Sequence, residues 1–257
     1  MTTYNWSALR NGGSQTITFV PGTDFINFDD PTITAASLGT PSFANAITGP
    51  NWSFTLAGIT ITLQTAIATM TSASLIFADG SKYLVGDETT GTANDSSANT
   101  LNGTVGDDNF HGLAGNDSLS GGAGNDSFQT NFTTGTFGND TIDGGADFDT
   151  LIYVSGSPNP VTVNLSGVTV GSTAAHTALN AQGNISLTSI ETVLGTAGND
   201  VFTGGDSEHA TDNLGNRDTE RFRGNAGNDT ITGAAGNDFF TATDYANNSA
   251  AQAVSVN

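Results

Sequence analysis

A nine-residue repeat constrains the fold of this chain more than any other feature of its sequence. Nine such units lie between Gly103 and Thr241, and each begins with glycine. Each unit also has a large apolar residue at position eight and an acid at position six. The position-six acids are Asp108, Asp117, Asp126, Asp140, Asp149, Asp200, Glu220, Asp229 and Asp238. These fixed offsets predict a stack of similar folded units rather than the disorder that an acidic, glycine-rich chain otherwise suggests.

The units form four groups along the chain. Three are contiguous over residues 103–129, and two more cover residues 135–152 after an insertion of five residues. One unit stands alone at residues 195–203, and the last three are contiguous over residues 215–241.

The glycines and acids of each unit suit a calcium site. Glycine permits the positive φ values of a tight turn and lets backbone carbonyl groups converge on an ion. Calcium takes about six to eight oxygen ligands from carboxylates and carbonyl groups, so neighbouring turns must share ions. The candidate metal ligands are Gly103, Gly106, Asp108, Gly112, Gly115, Asp117, Gly121, Gly124, Asp126, Gly135, Gly138, Asp140, Gly144, Asp149, Gly195, Gly198, Asp200, Gly224, Gly227, Asp229, Gly233, Gly236 and Asp238.

The segment Gly121-Gly122-Ala123-Gly124-Asn125-Asp126-Ser127-Phe128 follows the pattern G-G-x-G-x-D-x-U-x, where U is a large apolar residue. The chain therefore resembles the RTX family (repeats in toxin, with hemolysin-type calcium-binding repeats). The resemblance implies a parallel β-roll in which each nonapeptide forms half a coil. Turns two units apart then lie on the same side of the roll and share Ca²⁺.

The resemblance also implies particular pairs of turns. The turn Gly103–Asp108 is expected to share Ca²⁺ with Gly121–Asp126. The turn containing Asp117 is expected to stack on Gly135–Asp140 across the five-residue insertion.

The unit at residues 215–223 departs from the pattern. Its turn is expected to pair with Gly233–Asp238, but Arg217, Asp218 and Glu220 replace the usual residues. Ion pairs between Arg217, Arg221 or Arg223 and nearby acids are an alternative to calcium in this unit.

Residues 1–100 predict a separate β domain. Short runs of alternating apolar and polar residues are separated by turn residues, as in strands with one buried face. The runs are Thr16–Val20, Phe25–Phe28, Trp52–Leu56, Ile59–Leu63, Leu75–Phe77 and Tyr83–Val85. Short helices are expected within residues 35–46 or 65–74, and the small, polar residues 89–100 predict a linker.

The expected fold class is all-β. A small N-terminal β-sheet or sandwich domain (1–100) precedes a calcium-binding parallel β-roll (101–241) with a strand-rich insertion (153–194). The expected insertion strands are Val161–Leu165, Val168–Val170 and Ile185–Ile190. The tail, residues 242–257, is compatible with a C-terminal secretion signal or with a frayed end.

The charge of the chain excludes several partners. Five Lys and Arg residues against 25 Asp and Glu residues give a net charge of −20. This charge argues against nucleic acid, which requires basic patches. The sequence has no apolar stretch long enough for membrane insertion. Stacked acids without a counter-ion repel one another, so the repeat region is expected to be unfolded or expanded without Ca²⁺.

Catalysis is not expected. His111, His176 and His209 form no H-E-x-x-H pair, and no G-x-S-x-G elbow is present. A glycosidase pair among the N-terminal acids is the alternative, but their neighbours favour turn residues or an extra calcium ligand. These acids are Asp29, Asp30, Asp79, Asp87 and Glu88.

Other features have an ordinary interpretation beside a functional one. Trp6 and Trp52 suit a sugar platform, although core packing is the simpler prediction. The threonines of residues 55–65 fit strand propensity better than an ice-binding face. His111, at position nine of a repeat, is expected to be exposed.

The function expected from these observations is structural. The resemblance implies a secreted protein, exported by type I secretion from a Gram-negative bacterium, that folds on Ca²⁺ outside the cell. No cysteine and no N-terminal export signal are present, which agrees with that route. Self-association into a surface layer, filament or biofilm matrix is expected. The alternatives are an adhesin or module that binds a surface glycan, and an accessory of an RTX enzyme.

Overall fold

The computed structural model describes residues 1–38, 51–91, 95–130, 136–153, 157–166, 170–171, 173–205, 220–233, 239–240 and 255–256. Strands dominate these ranges, and the helix α1 (Trp6–Leu9) is a single turn. The all-β fold class is therefore confirmed. No helix in the described ranges is long and apolar enough to span a membrane.

The N-terminal domain contains two three-stranded sheets, in the orders β1-β3-β6 and β2-β5-β4. Its strands are β1 (Thr3–Asn5), β2 (Gln15–Ile17), β3 (Phe25–Phe28), β4 (Trp52–Leu56), β5 (Ile59–Leu63) and β6 (Leu75–Phe77). Five of them fall on the alternating runs found in the sequence. The short 3₁₀ turns Ala36–Leu38 and Ile67–Thr69 lie within the two segments where helices were expected.

Aromatic side chains fill the core of this domain. Trp6 and Trp52 are 1% and 0% exposed, and Phe28 stacks on Phe77 with ring centroids 4.6 Å apart. Neither tryptophan can serve as a sugar platform, because neither ring reaches the surface. The simpler interpretation, core packing, holds for both.

The repeat region forms two mainly parallel sheets that face each other. The first sheet contains β8 (Thr100–Asn102), β10 (Ser118–Ala123), β12 (Gly138–Ala146), β14 (Val161–Asn164), β15 (Thr177–Asn180), β16 (Gly183–Thr188), β18 (Val201–Thr203), β20 (Thr230–Thr232) and β22 (Ser255–Val256). The second sheet contains β7 (Tyr83–Val85), β9 (Asn109–His111), β11 (Ser127–Thr130), β13 (Thr150–Tyr153), β17 (Thr192–Leu194), β19 (Arg221–Arg223) and β21 (Phe239–Phe240). Successive repeat strands alternate between the sheets, so each nonapeptide makes half a coil.

Position eight of each repeat supplies the core between the sheets. These residues point inward because side chains alternate along a strand and position eight is the middle of each short strand. Phe110 and Phe128 stack with centroids 4.7 Å apart, and Phe202 and Phe222 lie 5.4 Å apart. All four rings are buried at 1% exposure or less.

The insertion adds two strands to the first sheet alone. β14 and β15 lie between β16 and β18, and β15 is antiparallel to both of its neighbours. β16 then continues the regular stack on β12 with Leu187 beside Ile142. The expected strand Val168–Val170 falls largely outside the described residues, and β15 was not expected.

The N-terminal domain closes the start of the roll through β7. This strand pairs in parallel with β9, so it is the first strand of the second sheet although it was expected in the N-terminal domain. Tyr83 and Val85 belong to the N-terminal core, whereas Leu84 belongs to the core of the roll. The backbone N–H of Ala36 also donates to the carbonyl oxygen of Asp107 at 3.0 Å.

The expectation that His111 is exposed is wrong. Its side chain is 0% exposed, and its ring centroid lies 4.8 Å from that of Tyr83. Position nine points out of the roll, but here the outer face of β9 is covered by the N-terminal domain. Burial lowers the pKa of His111 to about 3.

Candidate calcium sites

Each described turn acid lies directly before a strand, except Asp140, which is the third residue of β12. These acids lie at the edge of the roll where the chain crosses from one sheet to the other. Four of the acids before the second sheet form one stack, which we call the long column. Its members are Asp108, Asp126, Asp149 and Glu191. The acids before the first sheet form a second stack, the split column, with Asp117 and Asp140 in one part and Asp200 and Asp229 in the other.

One hydrogen bond recurs at every step of the long column. The backbone N–H of each acid donates to the carboxylate of the acid in the following coil. Asp108 donates to Asp126 at 2.7 Å, Asp126 to Asp149 at 2.8 Å, and Asp149 to Glu191 at 2.8 Å. The sequence separations are 18, 23 and 42 residues, so the register survives both insertions.

The split column has the same hydrogen bond but is interrupted. Asp117 donates to Asp140 at 2.9 Å, and Asp200 donates to Asp229 at 2.9 Å. Asp140 is paired in register with Ile185 of β16, which cannot provide a carboxylate. The insertion therefore ends the first part of this column.

At Gly103 and Gly121, oxygen atoms of neighbouring groups occupy the region into which a side chain would project. A methyl group at Gly121 would lie 2.1 Å from Oδ2 of Asp126 and 2.3 Å from the carbonyl oxygen of Gly144. A methyl group at Gly103 would meet Asp108 Oδ2 and the Gly121 carbonyl oxygen in the same way, at 2.5 and 2.1 Å. Carboxylate and carbonyl oxygens thus converge on these two glycines, which is an arrangement that suits a cation.

Burial raises the pKa of most column acids. The pKa of Asp126 rises to about 8 and that of Asp149 to about 9, first because of desolvation and then because of neighbouring acids. Desolvation also raises the pKa of Asp140 and of Glu191 to about 7. The pKa of Asp117 and that of Asp200 rise to about 6 for the same reason. The charged form of these acids needs a positive partner.

Buried oxygens without a hydrogen bond show where that partner fits. Oδ2 of Asp117, Asp126 and Asp149 is buried and has no hydrogen-bond partner among the described residues. A bound Ca²⁺ would supply the missing interaction, so the residues present fit the ion. No three acidic or histidine side chains cluster in the described ranges, so carbonyl oxygens of the glycine turns must complete the coordination.

Two of the three expected pairs of turns are brought together by the fold, and the third, residues 215–220 with 233–238, falls largely outside the described residues. Gly103–Asp108 stacks on Gly121–Asp126, and the turn of Asp117 stacks on Asp140 across the five-residue insertion. The carbonyl oxygen of Gly198 lies 2.0 Å from a methyl position at Gly227.

Other predicted ligands follow the same stacking. A methyl group would meet the acid of its own unit at Gly112 and Gly195, and the Gly115 carbonyl oxygen at Gly138. At Gly124 it would lie 2.7 Å from the carbonyl oxygen of Gly106. Gly224 and Gly233 lie within the described segment 220–233. Gly135, Gly236 and Asp238 lie outside the described residues, as do residues 215–219.

The carboxylate of Glu220 has a different environment. Its Oε1 accepts the backbone N–H of Gly205 at 2.7 Å. Arg221 lies with its guanidinium 5.6 Å from the ring centroid of Phe148, which is a cation–π contact. Calcium and ion pairs were the two alternatives for this unit, and the contacts described for Glu220 and Arg221 are a backbone hydrogen bond and an aromatic ring.

The sequence analysis did not identify two residues that extend the columns, one in each column. Asn99 occupies position six of residues 94–102, and its backbone N–H donates to Asp117 Oδ1 at 2.9 Å. Glu191 occupies position six of residues 186–194, directly before the unit at 195–203. The apolar residues Leu101 and Val193 at position eight are the signal for both units, which lack the first glycine.

The acids of the N-terminal domain hold turns and loops. Asp29 accepts the backbone N–H of Ser7, and Asp30 accepts that of Thr32. Asp79 and Asp87 each accept the backbone N–H of the residue two positions later. Glu88 accepts the backbone N–H groups of Val85 and Ser72. The turn interpretation of these acids fits these contacts.

Comparison with known protein families supports the interpretation of the columns. The RTX calcium-binding nonapeptide repeat matches four segments, residues 94–128, 134–152, 188–208 and 214–244. The first segment includes the unit of Asn99, and the third includes Glu191. No curated protein matches the chain. Proteins with RTX repeats are typically secreted. The chain is therefore a protein that carries RTX calcium-binding nonapeptide repeats.

Proposed function

We propose that this protein is a secreted, calcium-dependent structural protein. It folds on Ca²⁺ outside the cell and then self-associates into a surface layer, filament or biofilm matrix. It has no enzymatic activity. One observation supports calcium-driven folding best: the buried Oδ2 atoms of Asp117, Asp126 and Asp149 lack hydrogen bonds within the described ranges.

The calcium concentration determines whether the repeat region is expanded or folded. Extracellular calcium modules work at about 10⁻⁴–10⁻³ M, well above the free concentration inside cells. In the absence of the ion, the column acids must either bind protons or repel one another. The roll is then expanded, which suits export through a narrow channel, and binding free energy becomes folding free energy outside.

Self-association is supported by an exposed, charge-poor face of the first sheet. Its outward side chains on four adjacent strands are Thr100, Asn102, Ser118, Ser120, Thr141, Asp143, Ser186 and Thr188. Only one of these eight side chains is charged, although the chain has a net charge of −20. Copies can approach along this face with little repulsion, and bound Ca²⁺ reduces the remaining net charge.

The test is light scattering during a calcium titration of chelator-treated protein, from micromolar to about 10 mM. Scattering is expected to rise steeply and to reverse on addition of chelator. An equal titration with Mg²⁺ controls for ionic strength. The variant Thr141→Lys with Ser118→Lys, which places two charges on the exposed face, is expected to fold with calcium but to scatter less. A wild-type chain that compacts and remains monomeric would overturn the assembly proposal and leave calcium folding intact.

A further inference from the structure

The turn at residues 189–191 joins β16 to β17, where the insertion returns to the regular stack. It replaces the six-residue turn of a repeat unit with three residues and contains no glycine. Its acid, Glu191, is 5% exposed. Three features of the turn match those of the regular turns.

The first matching feature is a backbone hydrogen bond. In a regular coil, the residue after the acid donates its N–H to the carbonyl oxygen of the acid in the preceding coil. Ser127 donates to Asp108 in this way at 2.9 Å. Thr192, which follows Glu191, donates to the carbonyl oxygen of Asp149 at the same distance. Glu191 therefore occupies the backbone position of a repeat acid.

The second matching feature is the carboxylate. Oε2 of Glu191 accepts the backbone N–H of Asp149 at 2.8 Å, as Oδ1 of Asp149 accepts that of Asp126. The longer side chain of glutamate thus reaches the position that aspartate reaches from a six-residue turn.

The third matching feature is a carbonyl group. A methyl group at Gly144 would lie 1.9 Å from the carbonyl oxygen of Ser189, just as one at Gly121 would lie 2.3 Å from that of Gly144. Ser189 has a φ of +51°, so a non-glycine residue turns the chain in the left-handed region here. Its carbonyl oxygen takes the place of a glycine carbonyl.

An unpartnered oxygen points into the space between the two turns. Asp149 is 0% exposed, and its Oδ2 has no hydrogen-bond partner among the described residues. This oxygen lies 2.3 Å from the same methyl position at Gly144 that the Ser189 carbonyl oxygen approaches. A carboxylate oxygen and a carbonyl oxygen thus converge beside a second buried carboxylate.

We propose that Asp149, Glu191 and the carbonyl group of Ser189 form a calcium site outside the glycine pattern of the repeats. The site fastens the coils before the insertion to those after it. The split column cannot do this, because Ile185 lies beside Asp140 at the same point. The inference rests on calcium binding by the repeats and is independent of assembly.

The test is calorimetric titration of the chelator-treated full chain with CaCl₂, for wild type and Glu191→Gln. Glutamine keeps an oxygen that can accept the Asp149 N–H but loses the charge. Glu191→Gln is therefore expected to bind one ion fewer, or to bind one ion at least tenfold more weakly. Glu88→Gln is the matched control, because Glu88 also accepts backbone N–H groups but lies outside both columns. It is expected to bind as many ions as wild type.

The outcomes separate this inference from the proposed function. If wild type binds no calcium, calcium-dependent folding fails. If wild type binds calcium and Glu191→Gln binds the same number at the same affinity, this inference alone is overturned. If Glu191→Gln loses all binding, hydrogen exchange of wild type decides. Calcium must then protect the amides of residues 189–192, and unchanged exchange there overturns the site.

Discussion

The backbone N–H of Asp126 donates to Oδ1 of Asp149 over 2.8 Å, although 23 residues separate the two acids. The other oxygen of Asp149, Oδ2, is buried beside Gly144 and accepts no hydrogen bond from the part of the chain that the structure describes. One carboxylate thus has two roles. It fixes the register between coils with one oxygen and offers the other to a cation.

Replacing Asp149 with asparagine separates these roles. Without calcium, Asp149→Asn is expected to raise the melting temperature, because a buried group with a raised pKa no longer needs a proton or a charge partner. Calcium is expected to increase the free energy of unfolding of the variant by roughly 1–3 kcal/mol less than that of wild type, because a ligand is lost. Thermal unfolding measures both effects when it is carried out in chelator and in about 5–10 mM CaCl₂, which is above the range in which extracellular calcium modules bind. Asp143→Asn, at an exposed acid of β12, is the control. A full calcium response in Asp149→Asn would contradict the assignment.

The glycine turns predict a steric effect. Gly121→Ala places a methyl group 2.1 Å from Asp126 Oδ2 and 2.3 Å from the Gly144 carbonyl oxygen, so neighbouring coils must move apart. The free energy of unfolding with calcium is expected to decrease by about 1–3 kcal/mol, measured by urea denaturation. Gly91→Ala is the control, because its nearest neighbour is 3.8 Å away. Equal stability of the two variants would show that the coils have room to adjust.

Low pH is expected to compensate in part for the absence of calcium. The folded-state pKa of Asp126, Asp140 and Asp149 lies near 8, 7 and 9, above the ordinary value of 3.8. A group with a raised pKa contributes stability that is complete below about pH 4 and is lost as pH rises to its folded-state pKa. In chelator, the roll is therefore expected to be more compact at pH 5 than at pH 9, as measured by circular dichroism and small-angle scattering. With saturating calcium this trend should disappear. Greater compactness at pH 9 in chelator would contradict the burial of these acids.

The buried histidine predicts the opposite pH dependence. His111 has a folded-state pKa of about 3, below the ordinary value of 6.5, so the unfolded chain takes up a proton that the folded chain rejects. Stability is complete above about pH 6.5 and falls below it, by up to about 1.4 kcal/mol per pH unit. His111→Phe removes this loss and keeps an aromatic ring beside Tyr83. In saturating calcium, the difference in free energy of unfolding between wild type and this variant is expected to change by about 2 kcal/mol between pH 7 and pH 5.

His176 offers the control for that experiment, because its side chain is exposed. His176→Phe makes the same chemical change at the surface, and both variants are compared with wild type at the two pH values. A pH-independent difference for His111→Phe would mean that the imidazole is hydrated in the folded protein.

The local features of the fold follow from the sequence. The acid at position six and the apolar residue at position eight place a turn and an inward side chain in every unit, since both depend only on nearby residues. For the same reason, the alternating runs of the first 100 residues match the bounds of β3 to β6, whereas β2 ends three residues before its run and β1 was not expected.

The environment of a residue depends on which parts of the chain meet, and local spacing does not encode this. His111 is buried because residues from the N-terminal domain cover β9, as shown by the 3.5 Å contact of Asn109 with Ala35, 74 residues away. The order of β14, β15 and β16 likewise depends on how the insertion packs, and this order interrupts the split column beside Ile185.

The sequence by itself determined the period, the inward apolar side chains and the acid of each regular turn, because these arise within nine residues. Only the tertiary structure decided that Glu191 continues the long column. Its turn lacks the glycines of the pattern, and its carboxylate reaches Asp149 because two strands 42 residues apart are paired in register. Position in a stack is set by strand pairing, and strand pairing depends on the whole chain.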